Sequence, residues 1–236
     1  MPTTLVVDKA QQLAAAGHHA EVVEYLGARR RWLPLVILLA VVACQDAAAP
    51  LNEQNVAGPL FSVTGEPVRM LHQSPTAPPL ETYQVSFWAH VNKASAVTVN
   101  YQPVAGQSQG QPFLLFYIRQ HALEAGAGGA PLRSRDSVFI TLTIDPVSFA
   151  VDFQPSGVLF STKSPAFLGF WYENANPDLD GDGGVDATDQ ALTQRLAMWY
   201  RVRNGNGWTK LDSENDVTLP RVSTYLYHFS QYAVSW

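Results

Sequence analysis

Asp178, Asp180, Asp182, Asp186 and Asp189 occupy positions 1, 3, 5, 9 and 12 of a twelve-residue stretch whose sixth position is Gly183. Carboxylates on alternate residues converge on one point, and a glycine after them permits a sharp turn. Hard divalent cations want oxygen ligands in such a cage: calcium takes six to eight, at about 2.3–2.6 Å. The expected set is Asp178, Asp180, Asp182, the backbone carbonyl of Gly184, Asp186 through a water, and Asp189 closing the shell. Val185 is expected to point inward as an apolar clamp. Magnesium is the lesser candidate, because its octahedral shell at about 2.0–2.1 Å keeps several waters and uses only one or two carboxylates. The competing reading is a solvated acidic turn. Against it, five of the chain's 20 acidic residues crowd this loop, and without a cation their mutual repulsion opposes its folding.

Other reactive groups form no comparable pattern. His90, His121 and His228 with Ser156 or Ser230 would be the material of a hydrolase, yet the chain has no Gly-x-Ser-x-Gly elbow and no histidine pair at zinc spacing. Asp136, Asp145 and Asp152 fall in or beside strand-like runs and form no acid/base pair. A hydrolytic enzyme is therefore the least favoured function, and the chain reads as non-enzymatic. Trp88, Trp171, Trp199, Trp208 and Trp236 offer flat faces for a glycan or surface polymer, although core packing accounts for such residues equally well. With a formal net charge of −5 and no basic block beyond Arg29 to Arg31, the electrostatic footprint of a nucleic-acid binder is missing.

The elements that must position these residues are short and β-rich. Charged residues make up 15% of the chain, against about 25% in an average globular protein, which favours strands and polar turns over long surface helices. Period-two alternation marks Tyr83 to Ala89, Val97 to Tyr101 and Val138 to Ile144. Further strand-like runs lie at 113–118, 148–153, 166–172, 197–203, 208–211, 216–219, 224–227 and 232–236. Asn204 to Gly207 supplies the positive-φ residues of a tight hairpin, and the Gly/Ala-rich 125–131 reads as a long loop. The fold expected for 81–236 is all-β, an antiparallel β-sandwich. The loop 178–189 is inserted between two strands and followed by a short helix carrying Leu192 and Leu196.

Upstream the chain changes character. Residues 1–28 pattern as a helical extension with a glycine turn at Gly17. Arg29 to Arg31 precede an apolar run, 32–43, that ends at Cys44. About a dozen apolar residues match the core of a secretion signal and fall short of the roughly 20 a bilayer span needs. The segment 29–44 is thus expected to direct export, and 45–80, with its Pro75-Thr76-Ala77-Pro78-Pro79, to be a flexible tether that contributes one edge strand near 60–63. The 28 residues ahead of Arg29 raise the further expectation that translation begins downstream of Met1. Cys44 is the only cysteine, so no intramolecular disulfide forms.

Four resemblances sharpen these readings. Val41-Val42-Ala43-Cys44 resembles the lipobox of bacterial lipoproteins, which implies lipidation of Cys44 and membrane anchorage in a bacterial envelope, as a periplasmic or outer-membrane lipoprotein; Gln45 after it leans toward the outer membrane. Residues 178–189 resemble a dockerin or EF-hand calcium loop, with Asp189 where helical EF-hands carry Glu. Dockerins hold two copies and this chain one, which argues against a cohesin-type partner and against carrying partner-reading roles onto Ala187 and Thr188. Phe153 to Phe160, Pro165 to Leu168, Trp208 and His228 to Val234 are similar to the sandwich domain of zona occludens and netrin-receptor proteins. Ser86-Phe87-Trp88-Ala89 resembles the start of uncharacterised bacterial lipoproteins, a family that implies no enzyme activity. The function expected is a calcium-binding, membrane-tethered envelope protein with a structural or protein-interaction role; the alternative is a calcium-dependent carbohydrate-binding module.

Overall fold

A computed structural model describes residues 62–202 and 207–236. The expected helical extension 1–28, the signal segment 29–44 with Cys44, the first part of the tether and Asn204 to Asn206 of the hairpin turn lie outside these residues. No described helix is long and apolar enough to cross a membrane.

The described chain is all-β with antiparallel sheets and one short helix, as expected. The six-stranded sheet is built from β1 (Gln84–His90), β5 (Ser137–Ile144), β6 (Ala150–Gln154), β13 (Gln231–Ser235), β9 (Ala197–Arg201) and β10 (Thr209–Lys210), in that spatial order. The five-stranded sheet runs β11 (Glu214–Asp216), β12 (Arg221–Leu226), β8 (Ala166–Trp171), β3 (Pro112–Ile118) and β2 (Ser95–Asn100). A small pair joins β4 (Leu123–Ala125) to β7 (Leu159–Phe160), and α1 (Ala187–Thr193) is the helix.

Alternation decides which side of each strand is buried. In β5 the side chains of Val138, Ile140, Leu142 and Ile144 are buried, while Thr141 and Thr143 between them are not. On that outer side Thr141 shares a 2.8 Å hydrogen bond with Ser86 of β1. Inner faces meet through aromatic rings: Phe116 of β3 lies 4.7 Å from Phe153 of β6, which stacks at 4.9 Å and 11° on Phe229. Phe113 of the five-stranded sheet likewise contacts Phe149 at 5.2 Å. Such pairs add about 0.5–1.5 kcal/mol each beyond their area burial.

Four expectations need correction. Residues 62–80 are packed onto the body instead of forming a tether. Val68, Leu71 and Leu80 are buried, and single bridges join Met70 to Ser235, His72 to Ser148, Gln73 to Ala175 and Leu80 to Tyr101. In this strap Val68 packs with Trp208 and Ala233 in a small second core, while Leu71 and Leu80 enter the main core; the segment persists there because its apolar side chains leave water. The bridge from Ser62 to Trp208 is parallel and agrees with the expected edge contribution near 60–63. Residues 216–219 are mostly turn, not strand, because Asp216 accepts the N–H groups of Thr218 and Leu219 at 3.0 and 3.2 Å. Residues 125–131 make a closed turn, with an Ala125–Pro131 bridge and the Gly126 N–H donating to Ala130. The expected helix stops before Leu196, which is buried in the main core beyond it.

Candidate metal centre

The acidic loop lies where the chain passes from β8 in the five-stranded sheet to β9 in the six-stranded one. Its base is held by the strap. The Ser74 N–H donates to the Asn174 carbonyl at 2.9 Å, the Asn176 N–H donates to the His72 carbonyl at 2.9 Å, and Leu179 packs against the main core.

Above that base, backbone N–H groups orient the carboxylates. Asp178 accepts from Gly181 through one oxygen (2.8 Å) and from Gly183 through the other (3.0 Å). Asp180 accepts from Asp182 at 3.2 Å and Asp182 from Gly184 at 2.8 Å. Gly181 and Gly183 take φ of 77° and 91°, a left-handed conformation that costs residues with a Cβ. The outcome is a cluster in which one oxygen from each of Asp178, Asp180 and Asp182 lies within 4.8 Å of the others, an arrangement able to hold a metal ion.

Asp186 and Asp189 stand apart from that triad. They form a reciprocal capping box on α1: Asp186 accepts the Thr188 N–H at 2.6 Å, and Asp189 accepts the Asp186 N–H at 2.9 Å. Asp189 is buried, and its other oxygen accepts from Leu179 at 2.7 Å and from Asp180 at 3.3 Å. Gly184 contributes its N–H to Asp182. Val185, expected to point inward, is 63% exposed. A single loop brings no second apolar surface for it to cover.

Electrostatics separate the two groups of acids. The Asp182 N–H lowers the Asp180 carboxyl, but desolvation and the neighbouring carboxylates of Asp182, Asp189 and Asp178 outweigh it and hold it above its ordinary range. The Asp189 carboxyl is held below that range, chiefly by the Asp186 N–H and further by those of Leu179 and Asp180, against a desolvation that raises it. Asp180 thus feels the repulsion of its neighbours, Asp189 included, while Asp189 is itself relieved by the N–H groups it accepts.

One contact to the loop comes from 111 residues away: Arg69 on the strap donates to the Asp180 carbonyl at 3.4 Å. Nothing in the sequence marks Arg69 as a neighbour of the loop, since a lone arginine in a Pro-rich stretch has no periodicity to place it.

The remaining sequence candidates are dispersed. His90 and His121 are exposed. His228 packs its ring 5.1 Å from Tyr200, and Ser230 donates to the Arg201 carbonyl at 3.0 Å. Asp136 and Asp145 accept backbone N–H groups in turns, and Asp152 accepts from Gln154. The tryptophans divide. Trp88 is 58% exposed beside Phe139, Trp171 lies under the Arg221 guanidinium, and Trp199, Trp208 and Trp236 line one cleft.

Fold and site together define an all-β, antiparallel protein with a carboxylate cluster on a strand-to-strand crossover. Comparison of the chain with family models, curated proteins and solved structures gives no match.

Proposed function

We propose that the chain is a calcium-binding, membrane-tethered protein of a bacterial envelope, a lipoprotein whose β-sandwich serves a structural or protein-interaction role. The observation that carries the metal reading is the convergence of Asp178, Asp180 and Asp182, each already oriented by a backbone N–H. Three carboxylates exceed what magnesium ordinarily takes and suit calcium. The Gly184 carbonyl and Asp186 through a water extend the shell. Asp189 accepts three N–H groups, and a carboxylate has about four lone-pair sites, so it retains roughly one for the ion and acts as a single-oxygen ligand. Every such oxygen holds the ion, which makes the metal an organiser of residues 174–195 with no chemistry on a substrate.

Tethering rests on Arg29 to Arg31, the apolar 32–43 and Cys44. The dockerin-like loop and the resemblance to zona occludens and netrin-receptor sandwiches fit an interaction module, and no feature of the site calls for catalysis. A second reading, calcium-dependent carbohydrate binding, is favoured by the grouping of Trp199, Trp208 and Trp236.

Calorimetric titration of the purified full chain with calcium is the test. One site with a dissociation constant on the order of 10⁻⁵ M is expected, weakened at least tenfold (about 1.4 kcal/mol) in Asp178→Ala and Asp182→Ala. Absence of heat, with a melting temperature indifferent to chelator, overturns the metal reading. For the tether, Cys44→Ala is expected to move the protein from the membrane to the soluble fraction.

A further inference from the structure

We propose that the cleft between the strap and strands β9–β10 is a binding site for an acidic oligosaccharide. This rests on the carbohydrate ligand of the second functional reading, gives it a place and a class, and drops its dependence on calcium. The cleft has a volume of about 380 Å³. That volume is in the range of small-molecule sites, roughly 300–1,000 Å³. Trp199, Trp208 and Trp236 form its aromatic wall; Glu66, Arg195 and Lys210 bring charge to it.

Each part has a chemical reading. Indole rings present flat apolar surface with little conformational entropy to lose, which suits the C–H faces of pyranose rings. Trp208 is only 5% exposed and packs in the small second core, so the ring surface open to a sugar comes from the half-buried Trp199 and Trp236. Arg201 lies 5.0 Å from the Trp208 ring and fixes it by a cation–π contact.

Charge selects the class of sugar. The side chains of the chain as a whole sum to −5, yet those lining this cleft are two cations, Arg195 and Lys210, against the one carboxylate of Glu66. A neutral chain would use the rings and leave Arg195 and Lys210 unemployed, whereas a hexuronate presents a carboxylate to them. The walls are also held from two sides. Arg195 ends the insertion just before the buried Leu196, and Glu66 stands on the strap beside the buried Val68.

The test follows the tryptophan fluorescence of the purified full chain as a glucuronate tetrasaccharide is added, with a neutral glucose tetrasaccharide as control. Expected is a saturable change for the acidic sugar, bound about tenfold or more tighter than the neutral one. Trp236→Ala is expected to weaken binding about tenfold, and Lys210→Gln to remove the preference for the acidic sugar. Lys210 is exposed, so Lys210→Gln should keep the parent's circular dichroism and melting temperature; Trp236 packs in part on the main core, so Trp236→Ala is expected to keep the parent's circular dichroism with a lowered melting temperature, and its binding is read well below that temperature. No saturable response to either sugar at millimolar concentration overturns the proposal. So does equal binding of both sugars by the parent, or a response that Trp236→Ala leaves intact.

Discussion

Two aspartates of the same loop, Asp182 and Asp189, differ in what they hold. Asp182 accepts one N–H at 2.8 Å, whereas Asp189 accepts three and is buried. Asp182→Ala is therefore expected to abolish most calcium affinity while leaving the calcium-free melting temperature unchanged or slightly raised, since one source of repulsion on Asp180 is gone. Asp189→Ala is expected to lower the melting temperature even in chelator, because three backbone donors lose their acceptor. Thermal melts in excess chelator separate the two. Asp216 gives a pH prediction away from the loop. Its carboxyl is held below the ordinary range, first by the Thr218 hydroxyl at 2.6 Å and then by the Leu219 N–H. A depressed folded pKa contributes stability above the unfolded value of about 3.9, and that contribution is lost as pH falls through the folded one. Asp216→Asn should thus melt below the parent at pH 7, and the gap should narrow on acidification toward pH 3.

At the scale of elements, the strap is the part the sequence conceals. Strands β1, β2 and β5 were legible because several consecutive residues alternate, and β3 and β8 as short β-rich runs; Val138, Ile140, Leu142 and Ile144 announce a buried face without any partner being known. Residues 62–80 touch the body through isolated bridges, one residue at a time. No period arises from that, and the prolines at 75, 78 and 79 give the composition of a linker. β4 and β7, of three and two residues, are equally short of a repeat. The triad was legible because its geometry is local in sequence, while Arg69 and the cleft depend on residues brought together by the strap. Leu71 is 1% exposed within the main core. Leu71→Ala should cost about 2–5 kcal/mol, whereas Glu66→Ala on the exposed part of the same strap should change stability by no more than about 0.5 kcal/mol. Denaturant unfolding of the two variants measures the contrast, and equal effects would return the segment to the status of a tether.

For the whole molecule, the position of the loop matters more than its composition. It spans the passage from one sheet to the other, and its base is pinned by residues 72–74 of the strap, with Arg69 reaching the Asp180 carbonyl. An ion that fixes Asp178, Asp180 and Asp182 therefore restrains a connection between sheets and the strap bonded to its base. Any ligand that binds only the folded state adds RT ln(1 + [L]/Kd), about 2.7 kcal/mol at a hundredfold excess over Kd. For a domain of this size each kcal/mol moves the melting temperature by about 2–4 °C, so saturating calcium should raise it by roughly 5–10 °C. Hydrogen exchange distinguishes global from local coupling. Calcium should slow exchange at 178–189 and also at 69–74, since the Ser74 N–H and the carbonyl of His72 are bonded to the loop's base. Amides of β3, β5 and β8, closed by their own ladders, should change only with global stability. Slowing confined to 178–189, with an unchanged melting temperature, would instead mean that the loop orders by itself and that the strap holds the two sheets without help from the metal.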